Sequence, residues 1–264
     1  MTADERFALI GQKIDRANKH IRDLQIAIAA FVESRPLEIG VKRDSHTKRP
    51  IYYVTAVRPI PHEIPLILGD AIHNLRTALD HLAQQLYLVG TGATTYSSKT
   101  EFPISESTQK LRGVIKDKCK GIRPEAIDEL LALEPYKDGK GNDLWVLHKL
   151  NNIDKHRTLV AAGVKYRSVN IRSMLLAALS PDSRERFGGL PDIDLKPEDT
   201  LSPLKVGDEL VTDLPGAEIS SIPFKLEVAL FEPEVLKPAA MMEIVQHLSS
   251  LVTATVTAFR PFLV

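Results

Sequence analysis

Arg76 and His81, with four residues between them, stand in the segment PLILGDAIHNLRTALDHLAQQLYLV, Pro65 to Val89, together with Asp70, His73, Asn74 and Asp80. An imidazole gives and takes protons near neutral pH, and a guanidinium stabilises charge on a phosphorus centre in displacement. Asp70 and His73, three apart, could share a metal ion, with Asp80 and His81 nearby and His148, Asp154 and His156 closing the sphere from elsewhere. Arg76 and Asp80, four apart, could instead form a surface ion pair, with His81 solvated or capping a neighbour.

A second cluster lies in LWVLHKLNNIDKHR, where His148, Asn151, Asn152, Asp154, Lys155, His156 and Arg157 crowd the end of an expected helix. Cationic side chains suit a helix carboxyl end. Trp145, Leu147, Leu150 and Ile153 make the same segment a buried one, and buried Asn and Asp need partners. The economical arrangement bonds Asn151 or Asp154 across to His73, Asn74 or Arg76.

Long helices must position these groups. Leu68, Ile72, Leu75, Leu79, Leu82 and Leu86 recur by fours and threes, the period of one apolar helix stripe. That places Asp70, His73, Asn74, Thr77, Asp80, His81 and Gln84 opposite the core, with Arg76 on the flank. A first helix runs from a cap at Thr2 or Asp4 to Pro36, with Phe7, Ile10, Ile14, Ala17, Ile21, Leu24, Ile28 and Phe31 as its stripe. LEIGVKRD and PIYYVTAVRPI read as a hairpin around DSHTKRP. FPIS, 102–105, reads as a short docked segment before helices at 106–120 and 124–134, with Pro124 in the first turn of the latter. A helix from Asp143 to about Arg157 precedes two β-like runs in LVAAGVKYRSVNIR. LKVGDELVTDL and IPFKLEVALFEP read as an antiparallel pair, and a last helix follows Pro238 with Met242, Val245, Leu248, Val252, Val256 and Phe259 inward. The expected fold is α+β: one domain over 1–264, with a long-helix bundle core (1–35, 62–90, 105–157, 238–263) and inserted antiparallel β segments (37–60, 158–173, 204–232).

RTALDH on its helix resembles the signature of the HEPN (higher eukaryotes and prokaryotes nucleotide-binding) superfamily, in which an arginine, four to six residues and a histidine cut RNA without metal. Thr77 is polar, as that signature prefers, but is not its favoured Asn. The resemblance implies a metal-independent endoribonuclease of toxin or phage-defence type. It implies Arg76 as phosphate stabiliser, His81 as the proton-transfer group, Asp80 or His73 orienting them, no cofactor, RNA as partner and a homodimer joined at this helix. HNLR-x-x-LDH and NIDKHR together also resemble phrases of bacterial proteins of unassigned role, which implies no activity. The alternative is a non-catalytic helical scaffold binding a small ligand or a protein in a polar, histidine-bearing pocket, or a His/Asp metal-binding protein.

Composition narrows the classes further. The 34 basic and 34 acidic residues balance, which argues against a broad surface for duplex DNA. Lys165, Tyr166, Arg167 and Arg172 alternate in one β run; they could hold single-stranded RNA or form an outward sheet face. The single Cys119, in KDKCKG, excludes an internal disulfide and cysteine-paired zinc, and fits a reducing cytoplasm. No apolar run is long enough to suggest a membrane span, and the amino terminus lacks a leader pattern. Phosphate-cradling glycine loops, a nucleophilic-serine elbow and HExxH are absent.

Overall fold

The computed structural model describes residues 1–48, 50–159, 161–170, 194–195, 204–212, 224–237 and 239–264. Helix α1 (Ala3–Glu33) opens on a reciprocal cap. The Thr2 hydroxyl accepts from the Glu5 amide at 3.2 Å, and the Glu5 carboxylate accepts from the Thr2 nitrogen at 2.7 Å. Ile10, Ile14, Ala17, Ile21, Leu24 and Phe31 of its stripe are buried against helix α2 (Glu63–Thr91). All six apolar stripe residues of α2 are buried. The helix stops at Gly92, whose left-handed φ of 68° lets its amide bond back to the Leu88 carbonyl at 2.9 Å.

Two shorter helices, α3 (Thr108–Lys118) and α4 (Pro124–Ala132), lead to α5 (Asn142–His156). The last helix, α6 (Met241–Ala258), buries Val245, Leu248, Val252 and Val256, with Met241 rather than Met242 in the fully buried place. It packs on α1, α2 and α5, and a 3-10 turn at Arg260–Leu263 follows. Val228 and Leu230 of a sheet join the same apolar core as these helices. The chain is therefore α+β, with a helical core and small antiparallel sheets.

Strands β1 (Leu37–Arg43) and β2 (Pro50–Val57) form the expected hairpin. In its turn Asp44 accepts from the amides of His46 and Thr47 and from the Thr47 hydroxyl, and these bonds hold its carboxyl below the usual range. The run at 158–173 yields one described strand, β3 (Ala161–Asn170); its side chains and Arg172 lie outside the described residues. The sheet order is β4 (Asp194–Leu195), β3, β6 (Phe224–Leu230), β7 (Ala239–Ala240). Strand β5 (Glu209–Thr212) pairs with β2, not with β6. Among the described residues, the antiparallel pairing expected of LKVGDELVTDL and IPFKLEVALFEP therefore does not form. Each strand adds to the free edge of an existing strand in a different sheet, so nearness in sequence does not decide the partner.

Candidate functional site

The polar face of α2 divides into two rows. Arg76, Asp80 and Gln84, four apart and thus stacked on one side of the helix, grip the segment 97–102, which we call the strap. Gln84 Nε2 donates to the carbonyls of Ser97 (2.7 Å) and Thr100 (2.8 Å), and Gln84 Oε1 accepts from the Ser97 amide at 3.1 Å. Asp80 accepts from the Phe102 amide at 3.0 Å while Arg76 Nη2 donates to the Phe102 carbonyl at 3.1 Å. Arg76 Nη1 donates to Asp80 at 2.6 Å, closing the clamp. The docked segment expected at FPIS is buried throughout, and this clamp holds it.

The second row faces α5, which runs antiparallel to α2. Gly69 meets the Asp154 carboxylate where a Cβ would have no room, His73 meets Asn151, and Arg76 meets His148. His73 Nδ1 and Asn151 Oδ1 are 3.3 Å apart, and Asn151 is buried. This is the expected bond across the helices. Burial, aided by the nearby Asp70 charge and opposed by His73, raises the Asp154 carboxyl above its ordinary range. Asp70 is exposed at the rim, its carbonyl accepting from Asn74 Nδ2 at 2.8 Å.

Arg76 is thus not on a solvated flank. It is 5 % exposed, and each of its three nitrogens donates: Nε to His148 Nδ1 at 3.3 Å, Nη1 to Asp80, Nη2 to Phe102. His81 is partly buried and lies near Lys13 of α1. Burial and, less strongly, Lys13 push its pKa down, with Asp80 pulling the other way. Five residues of α-helix turn through about 500°, leaving His81 about 140° around the axis from Arg76. The two side chains to which the resemblance gives one reaction therefore point at different neighbours. An apolar stripe marks the core but does not reveal which flank a strap covers.

His148 links the seam to the outer side of α5. Arginine only donates, so Nδ1 of His148 accepts from Arg76 and the ring proton sits on Nε2. Asn152 Nδ2 is set 3.0 Å from Nε2; two N–H donors cannot bond each other, so we assign the amide the other way round, its oxygen on that proton and its NH2 outward. Burial first, then the Arg76 charge, lower the His148 pKa to about 4. A base with a depressed folded pKa contributes stability fully above its unfolded pKa of 6.5 and loses it as pH falls toward 4. Between pH 7 and pH 5 the loss should be about 1–2 kcal/mol, discounted for partial exposure to water. His81 shifts in the same direction, so denaturant titrations of the wild type and His148→Gln at both pH values isolate the His148 share. An equal pH dependence in the two proteins would refute it.

Asn152 also lines a cleft of about 580 Å³ on the outer side of α5. Its walls are Glu106, Lys137, Trp145, Lys149, Asn152, Ile153, His156, Arg157, Glu234 and Val235. Glu106 is fixed by Lys149 at 2.7 Å and by the Trp145 indole N–H at 3.1 Å. The Lys149 bond, with a lesser one from Trp145, keeps its carboxyl below the ordinary range against the effect of burial. The guanidinium of Arg157 forms two bonds, 3.0 and 2.7 Å, to the buried Glu232 carboxylate. Lys137 and Lys149 hold their ammonium groups 5.5 and 5.6 Å from the Trp145 ring centre.

Of the expected site residues, Asn152 and His156 reach this cleft. Arg76, His73, His148 and Asn151 form the seam behind it, joined at its rim by Asp154; Asp80 clamps the strap, while Asp70, Asn74 and His81 lie elsewhere on α2. Glu106, Lys137 and Glu234 were not legible as site residues, because three distant segments bring them together. In the sequence Trp145 stands beside apolar Leu144, Val146 and Leu147, which marks a buried segment and not a cleft. Among the described residues, no group of three or more His, Cys, Asp or Glu is placed to hold a metal ion. Cys119 is buried in the core and its thiol is pushed up to about 12 by burial, the lysine-rich sequence around it notwithstanding. No helix among the described residues is long and apolar enough to cross a membrane. Compared with known proteins, the chain matches no family model, no curated protein and no solved structure.

Proposed function

We propose that this protein is a non-catalytic ligand-binding scaffold, with the cleft outside α5 as its site. The observation that carries the reading is the chain Phe102–Asp80–Arg76–His148–Asn152, which fixes a donor at the cleft wall from a fully engaged interior. A network with every member paired rigidifies what it touches, and binding to a rigid site loses little free energy in ordering it. The same network counts against RNA cleavage by Arg76, since a guanidinium with all three nitrogens donating behind a strap has no open face for a phosphate.

Two measurements test the proposal together. A thermal-shift screen of small metabolites should yield a compound that raises the melting temperature; at a hundredfold excess over Kd, mass action stabilises by about 2.7 kcal/mol. Incubation with single-stranded RNA should leave it intact. RNA cleavage that disappears in both Arg76→Ala and His81→Ala would overturn the proposal and restore the ribonuclease reading.

A further inference from the structure

Resting on that ligand-binding reading, we infer that the cleft selects a small organic anion, its carboxylate or phosphate group received by Lys137 and the Asn152 amide, with an apolar body against Ile153 and Val235. The cleft wall carries three cations, Lys137, Lys149 and Arg157, and two carboxylates, Glu106 and Glu234. Lys149 is answered by Glu106, and Arg157 by Glu232 with the Glu234 carboxylate near enough to act on it as well. Lys137 has no ion-pair partner among the described residues; its ammonium lies over the Trp145 ring instead. It is the cation left to meet an incoming anion.

The second donor is fixed by elimination of protons. Arg76 has His148 Nδ1 accept, so Nε2 carries the proton; with the Asn152 amide assigned oxygen-inward in place of the Nδ2 set at 3.0 Å, its NH2 is left to give. The two Glu106 oxygens accept from Lys149 and from Trp145, and no bond joins Glu106 to Asn152 among the described residues.

Lys137 is held in place by an unusual loop. Glu134 and Asp138, neither a glycine, take left-handed φ values of 48° and 63°. The loop closes on itself through Tyr136 N–H to the Glu134 carbonyl at 2.8 Å and Gly139 N–H to the Tyr136 carbonyl at 3.0 Å. It is bridged to Ser105, next to Glu106 of the opposite wall. Left-handed backbone at non-glycine residues is strained, and strain maintained beside a cleft is a mark of preorganisation. Trp145 is 4 % exposed, which leaves no open indole face for stacking a nucleobase and argues for a ligand recognised by charge.

Trp145 is the single tryptophan of the chain, so its emission reports on the two ammonium groups beside it. The test titrates the whole protein with phenyl phosphate, 3-phenylpropionate, benzyl alcohol and benzylamine, followed by Trp145 fluorescence and by calorimetry. One or both anions should bind saturably and the other two probes should not; the tighter anion tells phosphate from carboxylate. Lys137→Ala, a change at an exposed position, should weaken the bound anion at least tenfold, and Asn152→Asp should do the same by replacing the donor with a negative charge. If benzyl alcohol or benzylamine binds as well as the anions, or Lys137→Ala leaves the affinity unchanged, the inference is overturned while the cleft remains a binding site. If no probe binds, both readings fall.

Discussion

Arg76→Ala is expected to lower the unfolding free energy by about 3–4 kcal/mol, the largest loss for any polar substitution on α2. The side chain is almost wholly buried, and its removal strands several groups at once: the Phe102 carbonyl, His148 Nδ1 and one side of the Asp80 carboxylate. A lost hydrogen bond costs most when the remaining partner stays buried without a replacement. For a chain of this length the change corresponds to a drop of roughly 6–15 °C in melting temperature. Arg76→Lys should recover less than half, because one ammonium cannot reproduce three donors in a planar fork. Urea titrations of both variants check this; a loss under about 1 kcal/mol for alanine would mean that water has free access to the clamp.

The second large effect comes from a residue with no side chain. Gly90 sits in the last turn of α2 against the turn between α3 and α4, and a Cβ there would strike the Gly121 carbonyl oxygen. Gly121 itself has a φ of 92°, and its own missing Cβ leaves room for Thr91 and Tyr87. The two glycines let backbone approach backbone. Since the obstacle is main chain, it cannot rotate away as a flexible side chain would. Gly90→Ala gains up to about 1 kcal/mol of helix propensity, less near a helix end, and loses more to overpacking. A net destabilisation of about 2–3 kcal/mol is expected by denaturant titration. Unchanged or increased stability in the alanine variant would show that the turn yields easily and that propensity wins.

The helices were readable in the sequence because their information is local. Leu68 through Leu86 repeat at the helical period, Thr2 is one of two residues able to cap the first helix, and Pro124 marks a helix start. The partnership of the NNIDKHR segment with α2 was readable too, since a buried amide in an apolar helix must find a partner, and Asn151 finds His73. What escaped was non-local. Nothing in RTALDH distinguishes an arginine facing water from one facing a strap contributed some 25 residues later. The partner of β5 depends on which strand edge stands free after the hairpin forms. The cleft depends on residues 106, 137 and 234, which share no spacing that a sequence displays.

One consequence follows from the way the strap is held. Every bond that Arg76, Asp80 and Gln84 make to residues 97–102 reaches an amide hydrogen or a carbonyl oxygen, groups that all these positions carry whatever their identity. Lys99 can therefore be exchanged for residues of other size or charge without loosening the hold of α2, provided proline is kept from 97 and 102, where a main-chain N–H must donate; Glu101 also pairs with Lys118 at 3.1 Å. Exposed Lys99 is open to natural drift or to labelling, while buried Thr100 and Phe102 and the helix that reads the strap are not.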